Sequence, residues 1–130
     1  MILPITLTMA GACALINIWL AARCVRGRFG LRVEHGDGGH QPMLVRIRSH
    51  GNFTEYSPIF LILLGLIEYA RGPMLWLWIA GIVFIIARIA HPFGMERRSP
   101  NILRGGGMVL TFAVILVLAA YALYLPYSAL

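Results

Sequence analysis

Residues 46 to 58 read Arg46-Ile47-Arg48-Ser49-His50-Gly51-Asn52-Phe53-Thr54-Glu55-Tyr56-Ser57-Pro58, a polar run set inside an apolar stretch. Wound as a helix of 3.6 residues per turn, Arg48, Asn52 and Glu55 share an arc of about 60°, with Glu55 roughly 10 Å further along the axis than Arg48. Such a stripe carries both signs. Arginine offers a planar donor fork to a carboxylate, glutamate accepts from an ammonium, and asparagine can do either. A ligand with an amine and a carboxylate fits that pattern; pairing with charges on neighbouring helices is the bland alternative.

Other cations fall at matching places. Arg88 and His91 are spaced to share a helix face near the end of a third apolar run. Arg104 opens a fourth run and Arg26 closes the first. The expectation is that four helices each present an arginine at one depth. Cations gathered in a partly dehydrated site bind an anion and favour the thiolate form of a thiol placed among them. His91 taken alone reads as a packed or capping residue rather than a catalyst.

The elements that must hold these groups belong to a membrane. Hydrophobic residues make up 59% of the chain and charged residues only 12%, and the mean hydropathy is +0.78. A soluble fold of this length needs far more polar surface. Four apolar runs, at about 2–25, 43–70, 74–92 and 104–125, are each long enough to span a bilayer. A charge inside such a run costs about 2.5–3.5 kcal/mol, so it should face protein or water and have a partner. The fold class expected is therefore all-α: one integral membrane domain over residues 1–130, built as a four-helix bundle.

Charge asymmetry sets an expected orientation. All 11 basic residues are arginines, and all but Arg71 fall in or beside the first and third connections. Basic residues accumulate on cytoplasmic connections, which puts both termini outside the cytoplasm and the polar site on the cytoplasmic side. The same clustering at the ends of apolar runs argues against nucleic acid as the partner of this basic chain. The first run lacks a basic stretch before it and reads as a retained helix rather than a cleaved signal. Residues 27–42, with Gly36-Asp37-Gly38-Gly39, read as a turn-forming loop. Trp76 and Trp78 read as interface anchors. Pro58 is expected to kink the second helix, and Asn17 to bond between helices. Cys13 and Cys24 lie roughly 16 Å apart on one helix, too far to bridge. His35 and His40 have no third ligand beside them, so no metal site is expected.

The pattern Arg48-x-x-x-Asn52-x-x-Glu55-Tyr56-x-Pro58, together with Arg88-x-x-His91 and Arg104 after a short basic loop, resembles the membrane-associated proteins in eicosanoid and glutathione metabolism, the MAPEG family. The resemblance covers essentially the whole chain. It is nearest to the small bacterial members, which are similar at Gly36-Asp37-Gly38-Gly39 and Arg48-x-His50-Gly51-Asn52 as well. It implies a homotrimer of four-helix protomers in a bacterial inner membrane, with glutathione held as co-substrate between protomers. By that resemblance Arg26, Arg48, Asn52, Glu55, Tyr56 and His91 bind glutathione, and Arg104 stabilises its thiolate. Three departures narrow the implied function. Met95 stands where relatives have a tyrosine, Met108 where the prostaglandin-forming branch has another, and Gly51 where that branch has an arginine. Fewer tripeptide contacts are implied, and eicosanoid substrates are not.

Two functions are thus expected to compete. One is a glutathione-dependent transferase or peroxidase acting on a lipophilic small molecule that arrives through the bilayer. The other is a non-enzymatic membrane protein whose polar seam binds an anionic lipid headgroup or holds the oligomer together. A small multidrug-type transporter would need an acid inside the first helix, and that run has none.

Overall fold

The structure, a computed structural model, describes residues 1–128. Four helices run antiparallel in chain order: α1 (Pro4–Leu31), α2 (Gln41–Arg71), α3 (Leu75–Met95) and α4 (Ile102–Tyr124), closed by a short 3-10 turn, Leu125–Tyr127. All four are long and apolar enough to cross a membrane, and there is no strand among the described residues. A bundle that satisfies its backbone groups within each helix is one of the two folds a bilayer permits. Apolar side chains such as Leu15, Ile62, Ile86, Val109 and Leu116 are correspondingly left on the outside.

The helices differ from the expected bounds mostly at one end. α1 continues past Val25 to Leu31, and α2 starts at Gln41, so the glycine-rich connection is only residues 32–40. Arg28 therefore stands on helix, not loop, and Arg26 lies within α1 rather than at its end. α1 stops where Arg32 adopts the left-handed conformation, φ 53°, and Gly36, Gly38 and Gly39 supply the other positive φ angles that turn the chain. α3 runs through Pro92 to Met95. Pro58 lies inside α2, which continues as one helix across it.

Glu68 closes the opposite end of the bundle. The first N–H groups of a helix have no partner within it, and α1 has no side-chain cap of its own. The Glu68 carboxylate, fully buried at the end of α2, accepts from the Ile5 and Thr6 backbone N–H groups at 2.9 and 2.8 Å and from the Thr6 hydroxyl at 2.7 Å. An anion at a helix N-terminus is also favoured by the helix dipole. This one side chain ties the start of α1 to the end of α2.

Apolar packing fills the middle. Phe60 of α2 stacks on Phe84 of α3 with ring centroids 3.7 Å apart, both side chains fully buried. Gly81 lets α3 close on α1; a Cβ there would sit 2.7 Å from the Met9 sulfur. Trp76 packs edge-on against Tyr121 at 5.0 Å. Asn17 of α1 meets His50 of α2 at 2.8 Å, the interhelical bond expected of it.

At the arginine-bearing end, α3 and α4 meet closely. A Cβ at Gly94 would overlap the Arg104 backbone. Asn101 locks that corner: its Oδ1 accepts from Arg104 N–H at 3.0 Å as the N-cap of α4, and its Nδ2 donates to the Gly94 carbonyl at 2.8 Å. Arg104 is thereby held in the first turn of α4.

Candidate functional site

α2 carries the polar stripe on the outside of the bundle. Arg48 and Glu55 face each other at 3.6 Å, with about half of each side chain exposed (55% and 50%). Asn52, between them in sequence, is half-buried, because it stands where the outer stripe meets the interior.

Tyr56 sits one residue beyond the stripe, edge-on to Phe112 of α4 with centroids 5.5 Å apart. That contact sets a common level for the two helices, which start from the same end of the bundle. Arg48 precedes Tyr56 by eight residues and Arg104 precedes Phe112 by eight. Both arginines therefore lie about 12 Å nearer the arginine-bearing end than the Tyr56–Phe112 pair. Below them, between α2 and α4, runs an open apolar groove of about 560 Å³, lined by Glu55, Tyr56, Ile59, Phe112, Leu116 and Ala119 among others.

Arg88 departs from the expected arrangement. It sits about one turn deeper and faces the bundle interior, fully buried. Its Nη2 donates to Asn52 Oδ1 at 2.5 Å, and its Nη1 to Thr111 Oγ1 at 3.3 Å and to the Met108 sulfur at 3.8 Å. The Thr111 hydroxyl in turn donates to the Gly107 carbonyl at 2.7 Å. Arg88 thus joins α2, α3 and α4, and no carboxylate pairs with it among the described residues. A Cβ at Gly107 would lie 3.0 Å from the Ala87 carbonyl, so the missing side chain allows this close approach of α3 and α4.

The remaining expected residues do not join the stripe within one chain. His91 is buried one turn from Arg88, on the inner face of α3, and its Nδ1 has no hydrogen-bond partner. Arg26 and Arg104 are exposed. Arg26 lines a small recess with Gly27, Gly30, Met43 and Arg46. The arginines of the four helices therefore do not converge in a pocket enclosed by this one chain. Arg48, Asn52, Glu55, Tyr56 and Arg104 instead lie on or beside outward-facing surface.

Sequence reasoning passed over a second set of polar contacts. Arg23, 8% exposed, pairs with Glu96 at the end of α3 and lies over the Trp19 ring, 5.3 Å from its centroid. Its backbone carbonyl accepts from Arg46 at 2.9 Å. The rule that a charge in an apolar run needs a partner, applied to Glu55, applies equally to Arg23 and Glu68.

The fold and this stripe define a four-helix membrane-spanning protein with a mixed-charge site on its outer face. A sequence model of the MAPEG family matches residues 6–124. Two curated relatives, the proteins called inner membrane protein YecN in Escherichia coli strains K12 and O6:H1, are each 32% identical over 115 residues, covering 88% of this chain and 88% of theirs. The chain belongs to the MAPEG family and is a membrane protein of that family.

Proposed function

We propose that the protein is a glutathione-dependent transferase or peroxidase of the inner membrane, assembled as a homotrimer, that presents a glutathione thiolate to a lipophilic electrophile. The observation that carries this reading is the Arg48–Asn52–Glu55 stripe, charged in both signs and half-exposed on the outer face of a membrane-spanning helix. Charges facing lipid are costly at that depth, so a second copy and a zwitterionic ligand are the natural cover for them. Glutathione carries one ammonium, two carboxylates and a thiol, and each finds a complementary group here. Glu55 takes the ammonium; Arg48, Asn52 and Arg26 take carboxylates; Tyr56 completes the tripeptide site across the assembly, while His91, buried on the inner face of α3, backs the site from within. Arg104, level with Arg48, holds the sulfur as thiolate.

The chemistry follows from that placement. The thiol proton leaves to water and the sulfur lone pair forms a bond to the electrophilic carbon; in a substitution the leaving group departs with its bonding pair, and in an addition the displaced pair stays on the product and takes a proton from water. Arg104 stabilises the anion before attack, while the stripe removes the entropy cost of orienting the tripeptide. The apolar groove beside Glu55 and Tyr56 supplies a place for an electrophile arriving laterally from lipid. The arginine excess on two connections supports an orientation with this site on the cytoplasmic side and both termini outside. Membership of the MAPEG family and the names of the two relatives support the membrane location.

The alternative, a polar seam that serves as subunit glue or a lipid-headgroup site, draws on the Arg48–Glu55 pair, whose charges already face each other. Conjugation of glutathione to a panel of apolar electrophiles in proteoliposomes separates the two. Turnover that falls at least a hundredfold in Arg104→Ala, with unchanged thermal stability, supports the enzyme. No turnover with any electrophile in the wild type supports the glue.

A further inference from the structure

We propose that Arg88 is a positioning residue that fixes the Asn52 amide in one orientation, so that its NH2 is the group turned to a ligand. The ligand group taken there is then a carboxylate or carbonyl oxygen. That the ligand is glutathione rests on the function proposed above; the orientation of the amide does not.

A guanidinium has five N–H donors and no acceptor. The Asn52 atom 2.5 Å from Arg88 Nη2 is therefore the amide oxygen. The planar amide then carries its NH2 on the side away from that bond, where it donates to no protein group among the described residues. Arg88 is itself held still. Its side chain is fully buried, and the Thr111 oxygen accepts from it because the Thr111 proton is already spent on the Gly107 carbonyl. Hydrogen-bond direction thus runs outward from the bundle core to the stripe. Donors at Arg48 and Asn52 followed by an acceptor at Glu55 match a zwitterionic amino-acid end, its carboxylate toward Arg48 and its ammonium at Glu55. Arg88 thus settles which end of the amide is oxygen and which is NH2.

The test is a double-mutant cycle on the full-length, detergent-purified protein, with glutathione affinity measured by calorimetry. Arg88→Met and Asn52→Ala are each expected to weaken binding about tenfold, a loss of about 1.4 kcal/mol. The double variant should bind no more weakly than Asn52→Ala alone. Losses that multiply would show that Arg88 acts independently of Asn52 and would overturn the proposal. Should Arg88→Met fail to fold, Thr111→Val, which frees Arg88 on one side, takes its place in the cycle with an expected loss of about threefold. A ligand-free arm uses protein labelled with nitrogen-15 at its three asparagines, 17, 52 and 101. The Asn52 side-chain amide resonance should move in the Arg88 or Thr111 variant while those of Asn17 and Asn101 stay. An unmoved Asn52 resonance would refute the positioning role without reference to any ligand. A moved resonance in a protein that binds no glutathione would uphold the positioning role and remove the glutathione reading.

Discussion

Replacing Glu68 tests whether one buried carboxylate organises the end of the bundle. The side chain accepts three hydrogen bonds, two of them from the otherwise unpartnered N–H groups of Ile5 and Thr6. Each buried N–H left without a partner costs about 1–3 kcal/mol, and a bond to a charged acceptor contributes about 1.5–3 kcal/mol against 0.5–1.5 for a neutral one. Glu68→Gln keeps one oxygen but turns an NH2 toward one of the two donors. The expected loss is about 3 kcal/mol. Glu68→Ala leaves both donors unpaired, for about 4 kcal/mol. Thr6→Val removes only the hydroxyl bond and should cost about 1 kcal/mol. Reversible unfolding in mixed detergent and dodecyl sulfate micelles, followed by circular dichroism, measures all three. A Glu68→Gln protein within about 0.5 kcal/mol of wild type would refute the capping role, since that is the size of an ordinary surface change.

Two further substitutions probe the corner that holds Arg104. Gly94→Ala forces a Cβ into the Arg104 backbone and should cost about 1–3 kcal/mol in the same unfolding assay, with lower glutathione affinity because α4 must shift. Asn101→Ala removes the N-cap of α4 and the tie to Gly94 at once; a loss of about 1–2 kcal/mol is expected.

Much of this molecule was legible in its residues because a bilayer is a demanding solvent. Four long apolar runs have few structural solutions, so the helix number and order follow from length and hydropathy alone. α1 runs beyond its apolar stretch for a physical reason. Arg28 and the glycines at 27 and 30 look like loop, yet a helix leaving the apolar layer has no need to stop until its carbonyls find another partner, which happens at Arg32. The stripe on α2 was visible in the three- and four-residue spacing of Arg48, Asn52 and Glu55. Its outward direction was not, because periodicity gives a shared face without saying what lies opposite it. Arg88 shows the converse. Its spacing to His91 placed both on one face, but only the packing of α3 on α4 through Gly107 turns that face inward and hands Asn52 its hydrogen bond. Glu68 escaped notice because its partners, the backbone N–H groups of Ile5 and Thr6, have no signature in the sequence.

The most direct test of the account is the ultraviolet difference absorbance of the thiolate when glutathione is mixed with the purified protein at neutral pH. A thiolate band that saturates with glutathione, vanishes in Arg104→Ala and weakens in Glu55→Gln is the result expected. Wild-type protein that gives no band at saturating glutathione, or an Arg104→Ala band of full height, would contradict it.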